Sequence, residues 1–193
     1  MYYIFSYLLG SVSFSYILVK VLKGVDIREQ GSKNAGGTNV LRNHGWPIAL
    51  VVGILDVLKG TLATYIGFKM GMDKALLGLV CVVLGHNFPI YFGFKGGKGI
   101  ATSFGGLIFL FPMWTAIVAG ICILIVYLTK YVSLGSIVFM TVLPILLISI
   151  KDLSVLNKIC IGGLGILAII RHRSNIQRLI HGEENKISSG GKK

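Results

Sequence analysis

Apolar runs alternate with short polar stretches along almost the whole chain, and most runs are long enough to cross a bilayer. A helix needs ~20 mainly apolar residues to span ~30 Å of hydrocarbon. The first run, 2–22, meets that length, and a second covers 46–69 with Pro47 near its start, where a missing N–H costs nothing. A third covers about 75–92. Residues 100–129 are apolar for too long to be one span, and Pro112 divides them into a short helix over about 98–111 and a longer one over about 112–129. Two further runs, about 132–150 and 155–170, complete seven. After Arg171 the apolar positions Ile176, Leu179 and Ile180 keep helical spacing against polar Arg171, His172, Asn175 and Arg178. The pattern predicts an all-α, polytopic integral membrane protein of seven transmembrane helices, one domain over 1–182, followed by a disordered basic tail over 183–193.

Composition agrees with the pattern. Hydrophobic residues make up 54% and charged residues 13% of the 193, against about 25% charged in soluble domains. Mean hydropathy is +0.79. The first run lacks a basic leader and a small-residue cleavage site, so it reads as a retained span. The net charge of +12 suits anionic lipid or an anionic substrate. Nucleic acid is excluded, because the cations are scattered between spans. With the N-terminus outside and the C-terminus inside, fourteen Lys and Arg fall on the cytoplasmic side and four on the other, with Lys59 inside a span. This asymmetry obeys the positive-inside rule. It also puts every polar motif on one face: the loop 25–46, the GGKG turn, the YVS segment and the RHRSN helix.

Two of these stretches carry anion chemistry. VDIREQGSKNAGGTNVLRNHGW, residues 25–46, packs glycines, hydroxyls and amides among Arg28, Lys33 and Arg42. Backbone N–H groups in such segments form anion-binding nests. The second, GFKGGKG, is a glycine-rich turn opening a helix, whose N-terminus favours anions. It is not a P-loop, which requires Gly where Phe92 stands and Ser or Thr where Gly99 stands. Asp56 and Lys59 share a helix face inside the second span. They read either as a structural ion pair or as support for the site. Ser11 and Ser15 serve close packing or approach the site, and Ser133 and Ser136 are caps or ligand donors. Cys81, Cys122 and Cys160 lie apart in apolar runs and read as packing residues. No ligand spacing among the four His and seven acids suggests a metal, and no cofactor is expected.

GSKNAGGTN, DVLKG, GHNFPIYFGFKGGKGIATS, YVSLGS and RHRSNIQRL together, in order and spacing, resemble the motifs of the bacterial acyl-phosphate-dependent glycerol-3-phosphate acyltransferases, the PlsY family. The likeness covers nearly the whole chain. Lys33 stands where that family's first motif usually has Gly, and Gly37 where Ala is common. Lys33 either adds a phosphate contact or points to solvent.

The resemblance implies a seven-helix enzyme of the bacterial plasma (inner) membrane with a cytoplasmic-facing site. It would transfer a fatty acyl group from acyl phosphate to the 1-hydroxyl of glycerol 3-phosphate, giving lysophosphatidic acid and inorganic phosphate, the first step of phospholipid synthesis. Membrane lipid and the upstream acyl-phosphate-forming enzyme are its implied partners. By similarity, Ser32, Asn34, Gly36, Thr38 and Asn39 form the phosphate-holding loop, and Arg42, Lys95 and Ser133 bind substrate phosphates. His86, Gly96, Gly97 and Lys98 join the substrate-binding set. His172 and Asn175 complete the catalytic group with Ser133 and Lys95.

No Ser–His–acid set can be assigned. The base is His172, His86 or a substrate phosphate oxygen, whose second pKa is about 6. None of the four His is followed at the fifth position by Asp, the signature of the other large acyltransferase class. A rival reading is a membrane transporter of a phosphorylated anion, which glycine-broken spans with buried charges also fit.

Overall fold

The computed structural model describes residues 1–187, and residues 188–193, the end of the expected tail, lie outside it. Ten helices and two single 3₁₀ turns, Ile27–Glu29 and Ile90–Phe92, are joined by short connections, and no strand occurs among the described residues. The helices are α1 (Tyr2–Ser11), α2 (Phe14–Lys23), α3 (Gly37–His44), α4 (Trp46–Phe68) and α5 (Met72–Asn87), then α6 (Ile100–Leu110), α7 (Pro112–Thr129), α8 (Val132–Ile150), α9 (Val155–Arg171) and α10 (Arg173–Ile180).

Five segments are long and apolar enough to cross a membrane: Tyr2–Lys23, Trp46–Phe68, Met72–Phe92, Pro112–Thr129 and Val132–Ile150. Helices α9 and α10 qualify only together, and they bend by 57° at His172. Helix α6, the short fourth run of the sequence, has 11 residues and stays below spanning length. All seven apolar runs are therefore helical, with one of them short.

The first run differs from the uniform helix its apolarity predicts. It breaks at Val12–Ser13. The Lys59 ammonium donates to the carbonyls of Gly10 (3.1 Å) and Val12 (2.9 Å) at that break. Asp56 balances the charge, 2.8 Å from Lys59 Nζ. A carbonyl left open at membrane depth costs several kcal/mol, roughly, unless a partner reaches it. Asp56 and Lys59 therefore hold the break together.

Glycines bring the spans close. A Cβ at Gly10 would fall on the Val82 carbonyl, one at Gly85 on that of Tyr7, one at Gly60 on that of Thr102, and one at Gly105 on that of Val57. These contacts clamp α1 on α5 and α4 on α6, the small-residue packing that membrane helices use in place of a hydrophobic drive. Leu76, Leu79, Leu107, Met140, Leu143, Leu147 and Ile161 fill the centre. A second cluster of Val19, Ile27, Val40, Ala49 and Val52 seats the polar loop on α2 and α4. Apolar side chains such as Ile54, Ile117, Ile121 and Ile166 face outward.

Candidate active site

The polar stretches converge on one face. Arg28 forms a bidentate pair with Asp26 and donates through Nη1 to Phe92 O at 2.7 Å, tying the first loop to the third span. Arg171 donates to Gly97 O at 2.9 Å, and Gly97 N–H to His86 O at 3.1 Å. Arg42 donates to Asn185 O at 2.6 Å, and Ile187 N–H to Lys130 O at 2.8 Å. Segments from four regions of the sequence thus meet.

Within the first loop, Asn39 is the organiser. Its buried amide nitrogen faces the carbonyls of Ile27, Gln30 and Asn34 at 3.0–3.1 Å, and its oxygen accepts from Ser32 N–H at 3.0 Å. The side chain is committed to holding the loop. Lys33 adopts φ +57° and is exposed. That left-handed backbone favours Gly, so Lys33 carries a conformational cost there. The Lys33 side chain points to solvent.

The loops roof a cavity of about 730 Å³. Its polar end is lined by Ser32, Asn34, Gly36, Thr38, Asn39, Arg42, His86, Lys98, Ser133, His172, Asn175 and Glu184. All of these but Glu184 were singled out in the sequence, and they stand together. Lys95 is exposed and does not line the cavity, and Gly96 and Gly97 are buried behind it. A Cβ at Gly96 would fall on His86 O, and one at Gly97 on His86 Nε2. The two glycines let the turn close against α5 and aim Lys98 inward.

Three cations and one carboxylate order the polar end. Lys98 Nζ donates to Asn175 Oδ1, and Asn175 Nδ2 donates to Glu184 Oε1 at 3.0 Å. Glu184 also accepts from Arg178 Nε at 2.9 Å and lies 3.9 Å from Arg42 Nη2. Burial pushes the Lys98 ammonium down to about 8, opposed by Glu184 and helped by Arg178, Arg171 and Arg42. Burial also lowers the Arg42 guanidinium, against the pull of Glu184. Burial and the Lys98 charge push His172 down to about 4, so its ring is neutral at pH 7. His172 Nδ1 lies 2.8 Å from Ala168 O and must carry the proton, leaving Nε2 as an acceptor. Ser136 Oγ donates to Val132 O, whereas the buried Ser133 Oγ and Arg42 Nε have no partner within the protein. His86 Nδ1 lies 3.4 Å from Asp56, so the pair at the helix break also backs the cavity wall.

Glu184 is a site residue that sequence reasoning did not find, whereas Asp56, read there either as half of an ion pair or as support for the site, is both. Glu184 fell in the stretch read as tail, of which 183–187 are placed and Glu184 is buried. The available signal was rarity, one of seven acids in a chain of net charge +12.

Below the polar end the cavity becomes an apolar cleft between α4 and α7, with Phe104 of α6 and Phe139 of α8 among its lining residues. Helix α4 packs on α5 and α6, and α7 on α6 and α8. Leu50, Ile54 and Leu58 of α4 and Ile123 of α7 stand at its margin and are exposed.

This arrangement offers cations and hydrogen-bond donors to anions, with an apolar channel beside them. The family model for glycerol-3-phosphate acyltransferase matches residues 1–182. The chain belongs to the glycerol-3-phosphate acyltransferase family, in its PlsY branch. The acyltransferase is 47% identical over 195 residues to the glycerol-3-phosphate acyltransferase of Shouchella clausii (strain KSM-K16), covering 95% of this chain and 93% of that one. It is 45% identical over 189 residues to that of Clostridioides difficile (strain 630), covering 94% and 92%. The crystal structure of PlsY (YgiH), an integral membrane glycerol 3-phosphate acyltransferase, in its glycerol 3-phosphate form superposes with a TM-score of 0.92 at 37% identity, covering 97% of this chain and 94% of that chain. The lysophosphatidic acid form gives 0.88. The acyltransferase is accordingly an integral membrane protein, and family membership decides against the transporter reading.

Proposed function

We propose that this acyltransferase takes a fatty acyl group from an acyl phosphate and places it on the 1-hydroxyl of glycerol 3-phosphate. The hydroxyl oxygen bonds to the acyl carbon, the acyl–phosphate C–O bond breaks, and the products are lysophosphatidic acid and inorganic phosphate. One observation carries the reading: Arg42, Lys98, Ser133, His172 and Asn175 face one cavity whose other end is an apolar cleft. Such a site takes two phosphates and one tail. The motif resemblance supports the same donor, and the forms in which the solved PlsY was crystallised suit the same acceptor and product.

The work asked of the chain is to bring two anions together. Arg42 and Lys98 offset their repulsion, and the free Ser133 hydroxyl is a further donor to phosphate. Holding reactants in register supplies about 7–11 kcal/mol in favourable cases. The N–H groups of the first loop, with Ser32, Asn34 and Thr38, stabilise negative charge as it builds on the phosphate or the carbonyl oxygen. The hydroxyl proton goes to a phosphate oxygen. A phosphomonoester with its second pKa of about 6 can accept it, and His172 Nδ1 is held by the Ala168 carbonyl rather than by a carboxylate that would steady a protonated ring. His172 then orients the hydroxyl through Nε2. If His172→Ala kept both substrates bound, lost turnover and regained it with imidazole, the proton would instead pass through that ring.

The enzyme sits in the bacterial plasma membrane with seven helical segments, N-terminus out and C-terminus in. Charge asymmetry and the gathering of all motif loops at one face support this. The deciding assay follows phosphate release by purified protein from palmitoyl phosphate and glycerol 3-phosphate, beside palmitoyl-CoA and palmitoyl-carrier protein. Release that needs both substrates and uses only the acyl phosphate is expected. Turnover with CoA or carrier protein alone would overturn the donor.

A further inference from the structure

We propose that Gly53 is the acyl-chain specificity determinant of this enzyme, the position on α4 whose missing side chain gives the cleft its width. The inference rests on the acyl-phosphate reading above. Helix α4 turns one face to the cavity, and Trp46, Leu50, Gly53, Ile54 and Val57 recur there at helical spacing. Ala49 also lines the cavity from α4, and Gly53 is the α4 lining residue without a side chain.

Nothing in the backbone requires a glycine at this position. Gly53 lies within a regular helix and is not among the residues with positive φ. Packing does not require it either. At Gly60, on the same helix, the space of a side chain is filled by the Thr102 backbone, whereas a Cβ at Gly53 would meet nothing within 4 Å. Glycine inside a helix is unfavourable relative to almost any other residue, so the sequence carries a cost here with no contact to offset it. Gly53 also lines the cavity, so the volume it leaves is cavity volume.

The position along the helix identifies what uses that volume. Gly53 is seven residues beyond Trp46, about 10 Å along the axis from the polar loop at 1.5 Å per residue. Leu50, Ile54 and Leu58, apolar residues of the same helix before and beyond it, stand at the margin of the cleft, so a tail lying along that margin passes position 53. Ala119 and Cys122 of α7 are also small and line the same cleft. A side chain at position 53 would narrow the passage for a tail long enough to reach it. It would leave untouched a tail that ends above it.

Gly120 supplies the control. It too has nothing within 4 Å of a built Cβ, but it does not line the cavity. The experiment measures kcat/KM for palmitoyl phosphate and hexanoyl phosphate, at saturating glycerol 3-phosphate, in the wild type, Gly53→Ala, Gly53→Leu and Gly120→Leu. Leucine and alanine both favour the helix more than glycine does. The palmitoyl-to-hexanoyl ratio should fall by about tenfold or more in Gly53→Leu, fall less in Gly53→Ala, and stay at the wild-type value in Gly120→Leu. An unchanged ratio in Gly53→Leu, an equal fall in Gly120→Leu, or total loss of turnover in Gly53→Leu with an unaltered ratio in Gly53→Ala would each overturn the proposal. A wild type that uses neither acyl phosphate would overturn the donor reading itself, a result distinct from these.

Discussion

Lys95 and Lys98 stand three residues apart in one turn, and only Lys98 lines the cavity. Lys98→Ala should therefore lower kcat/KM by about a hundredfold or more, the usual loss when one charge-stabilising donor is removed. Lys95→Ala should stay within a few-fold of wild type in the same phosphate-release assay. The two lysines look alike in sequence because direction in a turn depends on backbone torsions, here Gly93 at φ +65° and Phe94 at φ +60°. Lys98 also sets a pH limit. Its ammonium is pushed down to about 8, so kcat/KM should hold between about pH 6, where the accepting phosphate is protonated, and pH 8, and fall above that as the Lys98 charge is lost. Lys98→Arg should abolish this alkaline fall, since a guanidinium stays charged. Stability runs the other way. A lysine held below its ordinary 10.5 disfavours folding while protonated, so this group's contribution improves between pH 8 and 10.5. An alkaline loss of rate without loss of folded protein separates the two.

Among the elements, the first span shows where reading a sequence stops. Its length and apolarity suit one straight helix, and the only local hint of a break is the Gly10–Ser11 pair with Ser13 beyond it. The cause is Lys59, 47 positions away from Val12 in sequence, reaching the open carbonyls. Helix α3 was hidden for a similar reason, since its glycines and amides read as loop while Val40 and Ala49 bury it against α4. By contrast, the other spans, the Pro112 division and the short α6 follow directly from run length and proline. Asp56→Ala should destabilise the protein by about 3–5 kcal/mol, because it leaves the Lys59 charge buried without its partner. Thermal unfolding in detergent would register the loss. Gly60→Val should be comparably damaging, since its Cβ has only the Thr102 carbonyl to occupy.

For the whole molecule, the positive-inside count and the convergence of loops make one testable statement about orientation. The native cysteines are buried or half-buried. Lys33→Cys and Lys95→Cys should react with an impermeant thiol reagent from one side of sealed vesicles, and Lys69→Cys and Lys151→Cys from the other. All four positions are exposed. Reaction of all four from one side would overturn the topology. The cleft between α4 and α7 has a consequence for kinetics. With the proposed acyl-phosphate donor, a tail that enters and leaves through the side of the protein would never dissolve in bulk water, and the quantity the enzyme senses would be the donor's mole fraction in the surrounding film. Adding inert detergent at constant total acyl phosphate should slow the reaction by surface dilution, while the dependence on aqueous glycerol 3-phosphate stays the same. Rate in the cell would then follow the make-up of the leaflet more than the size of the cytoplasmic pool.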